Sequence, residues 1–167
     1  MKKLLFTVIL ISIAVLISCT STNGESHNVD AMPRGLGSET QDFSDVIGKK
    51  WQLTEVWLNG ENTGFNRSSF ANQSFTEIFT LEFHEERISG TGAPNGYAAP
   101  YTLGEGQDIS IMLLLSTMMA PLFAPEGLGE HDFFAYLHNT YKWELVNENL
   151  TLHSKTQDDR EILLVFI

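Results

Sequence analysis

Residues 75–90 read Phe75-Thr-Glu77-Ile-Phe79-Thr-Leu81-Glu-Phe83-His-Glu-Glu-Arg87-Ile-Ser-Gly90, and the fold turns on that stretch. Phe75, Glu77, Phe79, Leu81 and Phe83 fall at a period of two, with Thr76, Thr80 and Glu82 in the opposite phase. That is the alternation of a strand with one face in a core. Glu85-Glu86 then turns the chain into Arg87-Ile88-Ser89-Gly90, which makes a β-hairpin.

Outward from this hairpin the same alternation recurs. Trp51-Gln-Leu53-Thr-Glu55-Val-Trp57-Leu58 reads as a strand ending at the turn signal Asn59-Gly60, and the polar residues 61–74 read as a loop. Tyr97, Ala99, Tyr101 and Leu103 alternate, then Gly104-Glu-Gly106 turns the chain into the short run 108–111. Tyr141-Trp143-Leu145, Leu150-Leu152 and residues 162–167 give three closing strands, separated by turns at 147–149 and 158–159. Between 127 and 139, Phe133, Phe134 and Leu137 form the apolar stripe of a short helix, with Glu130 and Asp132 near its positive end. Antiparallel strands, one helix and no parallel crossover predict a mainly β (α+β) fold: a small antiparallel β-barrel-like sheet, a lipocalin-like meander with one short helix. The run 111–124 is the most apolar beyond the N-terminus. Ser116, Thr117 and Pro121 interrupt it and it is too short to span a bilayer, so it reads as core, with Met112, Met118 and Met119 as filling.

The N-terminus has a different character. Lys2 and Lys3 precede an almost unbroken aliphatic stretch from Leu4 to Ile17, too short for a membrane span, which needs about 20 residues. It ends in Leu16-Ile17-Ser18-Cys19, the pattern of a bacterial lipobox. Residues 1–18 are therefore expected to be a lipoprotein signal peptide. Cys19 is expected to carry a diacylglycerol thioether and an N-acyl chain such as palmitate, several chains anchoring firmly where one is marginal. The expected location is the cell envelope, at the outer membrane or the periplasmic face; Thr20 after the cysteine lacks the aspartate that retains some lipoproteins at the inner membrane. Residues 19–46, rich in Ser, Thr, Asn, Gly and acidic residues, read as a flexible tether reaching roughly 30 Å, and 47–167 as one folded domain.

Cys19 is the one cysteine in 167 residues, which excludes a disulfide and any thiolate chemistry in the domain. The chain has 10 basic and 21 acidic residues; without Lys2 and Lys3 the balance is 8 to 21 and the formal charge falls from −11 to −13. Nucleic acid and anionic headgroups would be repelled, so no nucleic-acid partner is expected and the membrane contact is expected to be the lipid.

The domain resembles the META domain (HslJ-like) family over 48–167. The tryptophan strand Trp51-Gln-Leu53 comes first, then Phe79-Thr-Leu81-Glu-Phe83, then Gly90-Thr-Gly92-Ala-Pro94-Asn95-Gly96-Tyr97-Ala-Ala-Pro-Tyr101. Ser116-Thr117-Met118-Met119-Ala120-Pro121 and Phe133-Phe134-Ala-Tyr-Leu137 follow in the family's order. Pro94 and Pro121 stand where relatives usually have cysteine, so a thiol-based role does not transfer. The resemblance implies a small β-barrel-like fold with a helix, an envelope location, no established enzymatic activity, and loose links to stress resistance and secretion. Trp51, Gly90, Gly92, Asn95, Tyr97, Tyr101, Thr117, Met118 and Ala120 are the matching motif positions, read as structural.

Catalytic readings are weak beside this. The loop at 90–96 lacks the Lys-Ser/Thr of a phosphate-binding P-loop, and no G-x-S-x-G elbow occurs. His84, beside Glu85-Glu86, and His131 and His138, seven apart on the helix and thus about 10 Å along its axis, form no plausible metal set. No catalytic residue, metal or cofactor is expected. Two functions stay open: a tethered interaction or structural module with an envelope protein partner, or a lipocalin-like carrier of a small apolar ligand. Packed aromatics at the centre favour the first, and an apolar cavity the second. Phe65, Phe70 and the loop 121–128 are the expected partner surface.

Overall fold

The structure, a computed structural model, describes residues 42–70, 77–120 and 125–167, except the side chains of Ser69 and Phe70. The expected signal peptide and Cys19 lie outside the described residues, and so does the expected tether up to residue 41.

A 3₁₀ turn, Phe43–Asp45, leads into β1 (Lys50–Leu58) and a two-residue β2 (Glu61–Asn62). The 3₁₀ turn Arg67–Phe70 precedes β3 (Thr80–Phe83), β4 (Arg87–Thr91), β5 (Gly96–Leu103), β6 (Ile109–Ile111) and β7 (Leu115–Ser116). Helix α1 (Glu130–His138) crosses to β8 (Lys142–Val146), β9 (Asn149–Lys155) and β10 (Glu161–Phe166). The hydrogen-bonded order is β6-β5-β4-β3-β1-β10-β9-β8, all pairs antiparallel. β6 then meets β8 through Ile109 N–H to Tyr141 O (3.1 Å) and Trp143 N–H to Gln107 O (2.9 Å). The eight strands therefore run round in chain order as an up-and-down barrel with a short seam at β6–β8, the expected meander. Among the described residues no helix is long and apolar enough to cross a membrane.

The hairpin that decided the fold pairs Glu82 with Ser89 and Phe83 with Ile88. Its first strand begins at Thr80, because Phe79 takes a left-handed φ of 50°, which an extended strand does not allow; Phe75 and Thr76 lie outside the described residues. In β1 the register slips between Leu53 and Glu55, a bulge that puts both Leu53 and Val56 inside and turns Trp57 outward onto Leu163 and Val165.

Aromatic rings fill the barrel. Toward one end Phe43 packs edge-on to Phe83 (5.2 Å between centroids) and Trp143 (4.9 Å), with Tyr101 against Phe83 (5.3 Å). A second group joins Phe79 to Phe65 (5.6 Å) and to Phe133 of α1 (5.0 Å), with Tyr97 and Phe134 beside it. Phe43 and Val46 belong to this core, and Trp51 Nε1 donates to Val46 O (3.0 Å). The tether expected to run to residue 46 is thus corrected at its end: two apolar residues within polar sequence fasten 43–46 to the domain.

Candidate functional site

Gly90, Gly92, Asn95, Tyr97 and Thr117 of the motif converge beside the N-terminus of α1. Gly90 faces Tyr97 across the β4–β5 pair, where a Cβ would strike the Thr80 backbone carbonyl and come 2.7 Å from the Tyr97 hydroxyl. That hydroxyl donates to Thr80 O (2.7 Å), and burial holds it well above the usual tyrosine range. At Gly92 a Cβ would lie 2.6 Å from Glu130 Oε1 and 2.7 Å from a ring carbon of Phe134, so the glycine is what lets the helix dock. Glu130, in the first turn of α1, accepts from Ala93 N–H (2.5 Å) and Asn95 N–H (2.6 Å) through Oε1, and from Asn95 Nδ2 (2.7 Å) through Oε2.

Asn95, buried, uses the rest of its amide on the following segment. Its Oδ1 accepts from Thr117 Oγ1 (2.8 Å) and Met119 N–H (2.7 Å), and Nδ2 also donates to Met119 O (3.1 Å). Thr117 N–H donates to Gly96 O (3.0 Å). One side chain therefore ties together the β4–β5 turn, the helix start and residues 117–119. Trp51 and Tyr101 are buried anchors elsewhere, Tyr101 donating to His84 O (2.7 Å). The chemistry of the cluster is that of a clamp: its amides, hydroxyl and carboxylate are engaged with one another.

What the clamp holds is exposed. Met118 is 98% exposed, Leu115 75%, Leu113 73%, and Met112, Met119 and Ala120 are exposed too. This corrects the expectation of core packing for 112–120 and its methionines, Leu114 excepted, which half-buries against the core; Ile111 is buried as expected, and 121–124 lie outside the described residues. The reason is geometric. Ile109 and Ile111 are the last fully buried residues among the described part of the run, Leu114 only half-burying against the core, and Tyr97, Ala99 and Tyr101 of β5 already occupy the interior along that wall. Past Ile111 the chain leaves the β8 seam and pairs with β5 alone, Leu115 opposite Ala98 and Ser116 opposite Tyr97.

The expected partner surface is also corrected. Phe65 is buried against Phe79, and Pro125 and Leu128 are buried as well. Gly127, at φ 76°, lies so close to Thr63–Phe65 that a Cβ would come 2.5 Å from the Phe65 nitrogen. The Phe70 side chain lies outside the described residues.

The histidines read from the sequence are not brought together. His84 Nε2 is 2.9 Å from Ser89 Oγ, His131 is exposed, and His138 Nδ1 lies 3.2 Å from Ile111 O. Sequence reading passed over His153. On the outer barrel wall it sits between Glu144 (Nε2 to Oε2, 3.4 Å) and Glu161 (Nδ1 to Oε1, 3.8 Å), its Nε2 buried without a well-aligned hydrogen bond. Burial opposes the charge on Glu144, but the Lys142 hydrogen bond (2.6 Å) and the neighbouring His153 and Lys142 side chains outweigh it and hold the carboxyl below its ordinary range. Cross-strand register alone creates this cluster, since His153 lies opposite Lys142 and Leu163, and no local motif signals it. Beside it an open cleft of about 440 Å³, lined by Thr102, Leu103, Asp108, Ser110 and Tyr141, lies along the seam. Among the described residues no three His, Cys, Asp or Glu side chains are grouped to hold a metal ion.

Comparison with known proteins places this geometry. The family profile described as the META domain matches residues 44–165. A solution structure of a protein from Burkholderia xenovorans is similar at a TM-score of 0.52 and 16% identity, covering 81% of this chain and 99% of that one. A crystal structure of a duf4847 family protein from Bacteroides vulgatus aligns at a TM-score of 0.48 and 11% identity, covering 73% and 94%. No curated protein matches the chain.

Proposed function

The chain belongs to the META domain family, and from that premise we infer that it is a non-enzymatic module of the bacterial cell envelope. A lipid on Cys19 tethers it, and it works through its outer surface in assembly, stress tolerance or secretion. One observation carries this reading: five residues of the family motif, Gly90, Gly92, Asn95, Tyr97 and Thr117, are engaged in packing and hydrogen bonds within the domain, while the barrel interior is occupied by Phe79, Phe83, Phe133, Trp143 and Phe166, all fully buried. That filling works against a carrier of an apolar ligand, which needs an apolar cavity of several hundred Å³. The seam cleft is lined by Leu103 and Ile109 as well as Asp108 and hydroxyls, but it is open, so a ligand there would stay in contact with water.

The test is intact-mass spectrometry of the full chain extracted from a bacterial envelope, beside a Cys19→Ala variant labelled with tritiated palmitate. The expected result is a chain beginning at Cys19 with its acyl groups and no other adduct, and loss of the label in Cys19→Ala. Label retained without Cys19 would refute the anchor. A reproducible additional mass of a few hundred daltons would establish the carrier instead.

A further inference from the structure

From Ile109 to Pro125 the chain has no Asp, Glu, Lys, Arg or His, in a protein whose formal charge is −11. The exposed apolar side chains 112–119 all lie in that uncharged run. Leu115 shares the outer face of the sheet with its pairing partner Ala98, and Pro100, two residues on, is exposed on the same strand. On either side of Met118 the chain is held, Thr117 through its hydroxyl to the buried Asn95 and its N–H to Gly96 O, and Met119 through its N–H and O to Asn95. Apolar side chains displayed from a fixed backbone lose little freedom on contact, which is the condition for a preformed binding surface.

Two features select the occupant. Protein-binding hot spots are enriched in Trp, Tyr and Arg and poor in Leu, and Met112–Met119 contains none of the first three. A bilayer asks only for apolar area, and for an acidic domain it is approachable only through an uncharged face, because anionic headgroups repel the remainder. The expected tether from Cys19 keeps the bilayer within reach.

We propose that the Met112–Met119 edge seats the domain on the membrane surface, with Leu113, Leu115 and Met118 entering the boundary between headgroups and acyl chains. The proposal rests on reading Cys19 as the anchor. Penetration is shallow, because β7 pairs on one side only and its free backbone groups need the water of the headgroup layer.

The experiment uses the full chain, extracted from a bacterial envelope and reconstituted into phosphatidylcholine vesicles. Since Cys19 is the sole cysteine, Leu113→Cys, Met118→Cys or Gln157→Cys each offers one thiol for an environment-sensitive NBD fluorophore. Gln157 is exposed between β9 and β10, on the wall opposite β5 in the circular strand order. Vesicles carrying a nitroxide on the acyl chain should quench labels at 113 and 118 several-fold more than the label at 157. Equal quenching at all three positions, in protein that floats with the vesicles, overturns the proposal. So does shielding at 113 and 118 that nitroxide lipid does not quench and that grows with the protein-to-lipid ratio, which would mean that a second copy covers the edge. A chain that does not float, and whose Cys19 thiol reacts with maleimide, refutes the anchor, and the proposal falls with it.

Discussion

Asn95 separates two regions that treat side chains in opposite ways. On one side, Gly90, Gly92 and Tyr97 pack so closely that no methyl group fits at either glycine. On the other, Leu113, Leu115 and Met118 extend into solvent. Apolar content does not explain the contrast, since the exposed region is the more apolar. What differs is the number of neighbours each backbone has: the turn after Gly90 is enclosed by Thr80, α1 and β5, whereas β7 is paired on one side only. Burial is thus set by position on the barrel wall, and hydrophobicity is satisfied only where the wall offers an interior.

The sharpest way to break this contrast is Gly90→Ala. The added methyl meets backbone, which cannot rotate away, so the cost should exceed the usual ~1–3 kcal/mol of overpacking and prevent a cooperative urea transition. Gly96→Ala, six residues on, is the control: its Cβ would find only Gly90 O at 3.9 Å, so its midpoint should stay near wild type. Equal effects at the two glycines would refute the enclosure. Phe65→Ser comes next, with a loss of roughly 3–5 kcal/mol expected for an emptied aromatic site, measured by the same titration. A shift near zero would return Phe65 to the surface.

Most of the barrel was legible because period-two runs and turn signals need only local sequence. The strands from Trp51, Tyr97, Tyr141, Leu150 and Ile162 form where alternation puts them, and Phe133 and Leu137 of the helix are buried as the stripe requires. The family resemblance pointed to Gly90, Gly92, Asn95, Tyr97 and Thr117, which pack or bond within the clamp, and equally to Met118 and Ala120, which are exposed. Two things were not legible. The run after Ile111 looks like core by composition, and nothing local says that the wall has already been filled by β5. His153, Glu144 and Glu161 meet because three strands share a register, which a single sequence does not display.

Asn95→Ala tests the link between the two regions. It removes four hydrogen bonds, to Met119 N–H and O, Thr117 Oγ1 and one oxygen of Glu130, each worth a net ~0.5–1.5 kcal/mol. A loss of about 2–3 kcal/mol is expected, together with faster amide exchange at Met119. Met118→Ser is the companion, expected within ~0.5 kcal/mol of wild type because that side chain touches almost nothing. Unchanged exchange at Met119 in Asn95→Ala would show that the edge is held by something other than the clamp.

Among the changes expected to destabilise, the smallest at neutral pH is Tyr97→Phe, which removes the hydroxyl lying against Gly90 and its bond to Thr80 O, for about 1 kcal/mol. Its stronger signature is alkaline. Burial raises the Tyr97 hydroxyl well above its ordinary value of 10.0 in the folded protein, whereas the unfolded chain ionises near that value. Below pH 10 both states hold the proton and the contribution is constant. Above it the unfolded chain releases the proton first, so wild-type stability should fall by up to about 1.4 kcal/mol per pH unit from this residue. Tyr101, Tyr136 and Tyr141 are raised as well, chiefly by burial, and leave a residual slope in the variant. Urea midpoints from pH 8 to 11 should therefore converge, with Tyr97→Phe starting lower and declining less. Parallel curves would mean that the hydroxyl reaches solvent, and the region around Gly90 would then be no more enclosed than the edge it supports.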